Sequence, residues 1–218
     1  VEENAALLDQ IADAGLFVTI YPYSRAFMNQ VEVVKQPLTD EEAGALRERV
    51  TGLMDRRGLL AWYMADEPEL KPVLPSRAEE IYEVCRDADP YHPCIMLNDT
   101  IAGIHTYAGG GDILMPDPYP LFLKDGLAAR GIEHTSEFIK ACREATGGRK
   151  PAWVTPQAFN YGNYGRAGNR GPNFTELRNQ CYQAVVYGAK GFLWYTYGQA
   201  NNYPDLGIGM DYLCREAL

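Results

Sequence analysis

The chain has 218 residues, of which 46% are hydrophobic and 22% charged, a balance that predicts a single globular domain over residues 1–218 with a substantial core. Its formal net charge of −9 argues against nucleic acid or an anionic membrane surface as a partner, because both require a basic face. The sequence has no run of about 18 apolar residues, so no membrane span is predicted. We therefore expect a neutral or weakly charged ligand.

Helical and strand-like patterns alternate along the first half of the chain. Apolar residues at helical spacing, followed by Gly15, predict a first helix, and residues 16–22 are typical of a buried strand. A capping-box pattern predicts a helix over about 39–57. The apolar run 59–66 predicts a strand that is covered on both faces and stops before Pro68, which lacks a backbone donor.

The alternation continues in the second half. Ser76 is predicted to cap a helix that runs through Cys85. Further strands are predicted at 93–99, 112–120, 151–159 and 191–197, and further helices at about 135–146 and 175–188. Six strand-like runs separated by helices indicate an α/β fold with parallel strands and right-handed crossovers.

Polar or aromatic side chains stand at the end of every predicted strand. They are Tyr21, Asp66 and Glu67, Asn98 and Asp99, Asp117 and Tyr119, Gln157, and Tyr195 and Tyr197. A doubly wound sheet would gather its site at one switch point and usually has a glycine-rich first turn, but no GxGxxG or GxxxxGK pattern occurs. A ring of such strand ends instead favours a (β/α)8 barrel, whose site lies at the carboxyl ends of the strands.

A complete barrel takes about 250 residues and eight strands. We therefore expect this chain to lack the first two strands and to be an excerpt of a longer protein with further domains. It begins with Val1 inside a helical pattern, without an initiator Met or a signal-peptide pattern. The five cysteines have no CxxC spacing, which predicts buried free thiols rather than a zinc site or a disulfide framework.

Three segments together resemble the (β/α)8 glycoside hydrolases of the large retaining clan. They are the strand end Trp-Tyr-Met-Ala-Asp66-Glu67-Pro68, the Asp-Pro-Tyr-Pro at 117–120, and Arg178-x-x-x-Tyr182 ahead of the strand at 191–197. The resemblance implies that strands three to eight are present. It also implies that Glu67 matches the general acid/base, which in the clan ends the fourth strand within Asn-Glu-Pro.

The chain departs from the clan pattern at two positions. Asp66 replaces the Asn that donates a hydrogen bond to the sugar 2-hydroxyl, and an ionised carboxylate cannot donate. The seventh strand ends in Gln157 where the clan has a Glu nucleophile. An amide cannot serve as that nucleophile, so the second carboxylate must come from another strand end.

Glycoside cleavage requires one protonated carboxyl group and one ionised group that attacks or activates water. We predict Glu67 as the general acid and Asp117 as its partner, although an Asp between two prolines is equally typical of a turn. Asp99 is the next candidate, with an Asx turn as the alternative.

Seven side chains are predicted to bind substrate: Asp66, Asn98, Asp99, Tyr119, Gln157, Trp194 and Tyr197. Several have structural alternatives. Gln157 could satisfy backbone groups at a strand end, and half of the aromatic residues near Trp194 would face the core by strand alternation. The loop 160–173 is rich in Gly, Asn and Tyr, a composition shared by binding lids and plain mobile loops.

The leading hypothesis is therefore a glycosidase that cleaves a poly- or oligosaccharide, uses no cofactor or metal, and is secreted or periplasmic in keeping with such a substrate. One alternative is an inactive carbohydrate-binding barrel or scaffold in which Gln157 marks a lost nucleophile. Another is a barrel that depends on a divalent metal held by oxygen ligands from Asp66, Glu67, Asp99 and Asp117.

Overall fold

The computed structural model describes residues 2–23, 35–124, 127–199 and 204–217. They fall into two compact units, Val1–Leu114 and Met115–Leu218. The single domain expected over residues 1–218 stays a prediction.

The first unit alternates helices and strands as the sequence predicts. Its elements are α1 (Glu2–Asp13), β1 (Val18–Ile20), α2 (Asp40–Leu53), β2 (Leu59–Asp66), α3 (Pro75–Ala88), β3 (Cys94–Asn98) and α4 (Ile101–Tyr107), and they lead into β4 (Ile113–Pro116). The sheet has the order β1-β2-β3-β4. The described residues therefore form an α/β structure with a four-stranded parallel sheet, and their regular strands do not close a barrel.

Strand β2 is the centre of this sheet. It pairs in parallel with β1, where Ile20 lies opposite Trp62, and with β3, where Trp62 lies opposite Cys94. All five residues of β3 are buried, as are Trp62 and Met64 on one face of β2 and Ala61 and Ala65 on the other. Burial on both faces is typical of parallel strands covered by helices, which confirms the prediction made from the apolar run.

Three details of the first unit differ from the predictions. Strand β1 has only three residues, because Leu16 and Phe17 before it are exposed rather than buried. Ser76 does not cap α3: Leu74 holds the N-cap position and Pro75 begins the helix, where the missing N–H of proline costs nothing. Helix α4 was not predicted, because seven residues are too few to show a helical period.

The described residues of the second unit form three α-helices and a short antiparallel pair of strands. Its elements are β5 (Leu123–Lys124), β6 (Leu127–Ala128), α5 (His134–Thr146), α6 (Phe174–Val186) and α7 (Pro204–Ala217). Helices α5 and α6 lie where the sequence predicts them, while β5, β6 and α7 were not predicted. None of the helices in the described ranges is both long and apolar enough to cross a bilayer.

The two strands predicted at 151–159 and 191–197 are extended but irregular. Two isolated parallel bridges join them, between Val154 and Phe192 and between Gln157 and Tyr195. A regular ladder is interrupted because Pro156 has no N–H to donate. The direction of pairing was therefore predicted correctly, but its regularity was not.

Candidate functional site

Glu67 has an uncommon backbone conformation for a residue with a side chain. It follows β2 with φ 48° and ψ 58°, the left-handed region, and no other non-glycine residue of the described ranges has a positive φ. Such a conformation costs about 1–3 kcal/mol and persists only where neighbouring contacts impose it, most often at functional sites. Pro68 follows as the first residue of a 3-10 turn, Pro68–Leu70.

Glu69, within that turn, joins the end of β2 to the end of β3. Its carboxylate accepts hydrogen bonds from Asn98 Nδ2 at 2.9 Å, Thr100 N at 3.0 Å and Thr100 Oγ1 at 3.3 Å. Thr100 Oγ1 in turn accepts from Gly103 N at 2.8 Å and so caps α4. These contacts of Glu69 could not be predicted from the sequence, because its partners lie about thirty residues away and leave no local pattern.

Asp66 is occupied by its own neighbourhood. Its carboxylate accepts from Tyr63 Oη at 3.0 Å and lies 3.6 Å from Lys71 Nζ, which also donates to the Asp66 carbonyl oxygen. The side chain therefore braces β2 against the following turn. Binding of substrate by Asp66 stays a prediction.

Two predicted residues at the end of β3 have different surroundings. Asn98 is only 1% exposed, and its Oδ1 has no hydrogen-bond partner among the described residues. Asp99 is half-buried and has a carboxylate oxygen within 4.8 Å of one of Glu67.

In the second unit, Asp117 directly follows β4 and is 2% exposed. A carboxyl group with so little access to water is expensive to keep in place unless it is bonded or has a chemical use. Tyr119, two residues later, is 8% exposed, and its carbonyl oxygen accepts from Arg130 Nη1 at 2.8 Å.

Tyr119 belongs to an aromatic cluster that the loop 160–173 helps to build. Its ring meets Phe159 edge-on with 4.8 Å between centroids, and Phe159 meets Tyr161 at 4.8 Å and Tyr164 at 5.4 Å in the same manner. Tyr195 joins at 5.5 Å from Phe159, and its hydroxyl lies 3.2 Å from that of Tyr164. The sequence pointed to Tyr161 and Tyr164 as members of a loop with the composition of a binding lid, but it gave Phe159, at the end of the predicted strand 151–159, no role in the site.

Gln157 is fully buried, and main-chain atoms occupy its amide. Its Oε1 accepts from Leu121 N at 2.9 Å, and its Nε2 donates to the carbonyl oxygens of Leu121 at 3.2 Å and Phe159 at 3.3 Å. Of the alternatives that the sequence left open, these contacts favour the structural one. A direct contact of Gln157 with substrate stays untested.

Trp194 and Tyr197 have different environments. Trp194 stacks on Phe192 with 6.1 Å between centroids, and both pack against the apolar cluster of α6 and α7 that includes Leu177 and Leu213. Tyr197 is 70% exposed in a 3-10 turn. Trp194 therefore faces the core, which was the structural alternative expected from the alternation of side chains along a strand. Tyr197 is accessible to a ligand.

No protein-family model and no curated protein matches this sequence. Several solved structures resemble it, among them the following three. A GH2 β-galacturonidase from Eisenbergiella tayi, solved with bound galacturonate, is 16% identical with a TM-score of 0.54, over 86% of this chain and 34% of that one. An endo-β-1,4-mannanase from Thermotoga petrophila is 12% identical with a TM-score of 0.55, over 89% of this chain and 52% of that one.

An endo-1,4-β-mannanase from Eisenia fetida is 12% identical with a TM-score of 0.58, over 97% of this chain and 70% of that one. The chain thus spans about a third of the β-galacturonidase and about half of the Thermotoga mannanase. At these identities the likeness concerns the fold, which is glycoside hydrolase-like.

Proposed function

We propose that the protein is a glycosidase that cleaves O-glycosidic bonds of a poly- or oligosaccharide, with Glu67 as general acid and Asp117 as the second carboxylate. The observation that carries the proposal is the left-handed backbone of Glu67 at the end of a buried parallel strand. The strand ends of a (β/α)8 barrel are where chemistry takes place. The proposal further takes the chain as strands three to eight of such a barrel, of the retaining-clan type.

In this mechanism Glu67 donates a proton to the leaving oxygen, and Asp117 attacks the sugar or activates water. The carboxylate of Asp99 lies within 4.8 Å of that of Glu67, and this proximity supports the assignment of Glu67 as the general acid. Like charges that close disfavour joint ionisation, so the pair favours a state in which one carboxyl keeps its proton. Tyr119 and Tyr197 are proposed to contact the sugar, since aromatic rings offer an apolar face with a polar tip.

The test is hydrolysis of a panel of plant and microbial glycans by the wild type and by Glu67→Gln and Asp117→Asn. Each variant is expected to lose at least about 100-fold in kcat, because each removes a group that acts in proton transfer or attack. The matched controls are Glu83→Gln and Asp87→Asn, exposed residues of α3 that should retain full activity. Full activity in Glu67→Gln would refute the proposal.

The second candidate function is carbohydrate binding without cleavage. It is favoured by the amide at Gln157, which bonds main-chain atoms of Leu121 and Phe159 and supplies no nucleophile. Under this alternative the wild type hydrolyses nothing in the panel, and Glu67→Gln binds glycans with unchanged affinity. Metal dependence is tested separately: loss of hydrolysis on adding a chelator would favour the divalent-metal alternative.

We also propose that the protein is secreted or periplasmic and is joined to further domains, in keeping with a polymeric substrate. Fractionation of the source cells, followed by detection with an antibody, tests the location. Detection of the intact protein only in the cytosol would contradict it.

A further inference from the structure

Glu67 requires something to hold its backbone in the left-handed region. The turn after it supplies three main-chain hydrogen bonds: Leu70 N donates to the Glu67 carbonyl oxygen at 3.1 Å, and Lys71 N and Val73 N donate to the Pro68 carbonyl oxygen at 3.2 Å and 3.1 Å. All three bonds lie within the turn. Attachment of the turn to the neighbouring strand β3 requires a further contact.

Glu69 provides that attachment. Its three hydrogen bonds come from Asn98 and Thr100, the two residues on either side of Asp99. One carboxylate thus ties together the backbone that carries Glu67 and the backbone that carries Asp99. Charge-assisted hydrogen bonds of this kind are stronger than neutral ones, which suits a contact that must resist strain.

The space around Glu69 is equally restrictive. A Cβ built on Gly103 would collide with the Glu69 carboxylate, whose Oε1 and Cδ are the nearest atoms to it. Gly103 is buried and has an ordinary helical position in α4, so its lack of a side chain serves this close approach rather than a turn. The arrangement therefore depends on two residues that are far apart in sequence.

We propose that Glu69 is a positioning residue: by clamping the ends of β2 and β3 together, it fixes the left-handed backbone of Glu67 and the approach of the Glu67 carboxyl to Asp99. This inference rests on the proposed function for its catalytic consequence, but the geometry it describes can be measured without activity. Glu69 does not itself act on the substrate.

The experiment compares Glu69→Ala and Gly103→Ala with the control Glu83→Ala in the intact protein, using the glycan that the wild type hydrolyses. Both test variants are expected to lose about 10–100-fold in kcat, since small displacements of a catalytic group have effects of this size. The change in KM should be smaller. The apparent pKa of the limb of the pH–rate profile that reports the general acid should shift. Retention of kcat within about twofold and of the pH profile, with only a lowered Tm, would overturn the proposal.

The conservative variant Glu69→Gln provides a test that remains valid if Glu69→Ala fails to fold. Its Oε1 can accept from Thr100 N, and its Nε2 can donate to Asn98 Oδ1 once the Asn98 amide turns over, because in the wild type it is Asn98 Nδ2 that faces this carboxylate. We expect this variant to regain most of the kcat that Glu69→Ala loses. A Glu69→Gln variant as impaired as Glu69→Ala, at unchanged Tm, would count against a clamp made of hydrogen bonds.

A measurement without catalysis separates this inference from the proposed function. The carboxyl group of Glu67, labelled with ¹³C and assigned through Glu67→Gln, is titrated by NMR in the wild type and in Glu69→Ala. We expect the midpoint to shift, because loss of the clamp changes the distance between Glu67 and Asp99. An unchanged midpoint would overturn the inference, whereas a wild type that cleaves no glycan would overturn only the proposed function.

Discussion

At the scale of a single residue, Asp89 shows how one buried carboxylate can organise its surroundings. It lies at the C-terminal end of α3, is 1% exposed, and accepts hydrogen bonds from Trp62 Nε1 at 2.9 Å and His92 Nδ1 at 2.8 Å. The backbone N–H groups of Tyr91 and His92 also donate to it. Burial raises the pKa of Asp89, but the hydrogen bonds led by that from Trp62 outweigh it and hold the pKa below its ordinary value.

We predict that Asp89→Ala lowers the free energy of unfolding at pH 7 by about 1–3 kcal/mol, because the buried indole N–H of Trp62 loses its acceptor. Because the folded-state pKa is depressed, the ionised form of Asp89 stabilises the wild type above the pKa of the unfolded chain, and that contribution is lost as pH falls through the folded-state pKa.

Urea unfolding at pH 7 and at about pH 3 measures both effects. The difference between wild type and Asp89→Ala should shrink at the lower pH, and the exposed control Asp87→Ala should change little at either. A difference that stays constant with pH would contradict the assigned role of the charge.

At the scale of elements, α2 and α3 are joined by one ion pair that also forms part of a helix cap. Thr39 and Glu42 form the capping box of α2, as the sequence predicts. The Glu42 carboxylate also accepts from Arg77 of α3, at 2.7 Å from Nη2 and 3.1 Å from Nη1. The Arg77 side chain is fully buried, and its Nη1 donates further to the Pro37 carbonyl oxygen.

We predict that Arg77→Ala destabilises the protein by about 3 kcal/mol, the lower end of the cost of breaking a buried ion pair from one side, because Arg77 is buried but Glu42 is partly exposed. Thr39→Ala should cost only about 1 kcal/mol, because it removes the cap but leaves the ion pair intact. The hydrogen bond from Arg77 is the main cause that lowers the pKa of Glu42, so Arg77→Ala should also weaken the loss of stability in acid.

Thermal and urea unfolding of the two variants, measured side by side, test the ranking. Equal destabilisation by both would show that the helices do not depend on the ion pair.

At the scale of the whole molecule, the thiols are unpaired in both units, as expected from their spacing. Cys85, Cys94, Cys142 and Cys181 are buried, and Cys214 is exposed. Burial raises the pKa of Cys94, Cys142 and Cys181 to about 12 and that of Cys85 higher still. Only the thiolate reacts with disulfide reagents, so burial and a raised pKa both protect these four groups.

We predict that Ellman's reagent at neutral pH modifies one thiol per native chain, and all five in guanidinium chloride. The Cys214→Ser variant should show no fast-reacting thiol in the native state and four after unfolding. Fast reaction of two or more thiols in the native wild type would contradict the burial of the other cysteines.

The parts of the fold that the sequence predicted correctly depend on neighbours in the chain. The capping box at Thr39 and Glu42 uses residues three apart, and the buried strand 59–66 shows itself as a continuous apolar run. The errors arose where local signals were weak or competing. Ser76 is a good capping residue in general, but Pro75 is better suited to begin the helix.

The candidate site likewise has features that the sequence predicts and features that it does not. The sequence alone determined that Asp66, Glu67, Asn98 and Asp99 stand at the ends of buried strands, because apolar patterning fixes where a strand stops. The left-handed backbone of Glu67, the hydrogen bond between Glu69 and Asn98 and that between Gln157 and Leu121 are visible only in the folded protein. The two hydrogen bonds join residues 29 and 36 positions apart in the sequence. A contact between residues so far apart produces no periodic pattern in the sequence, so sequence patterns could not predict it.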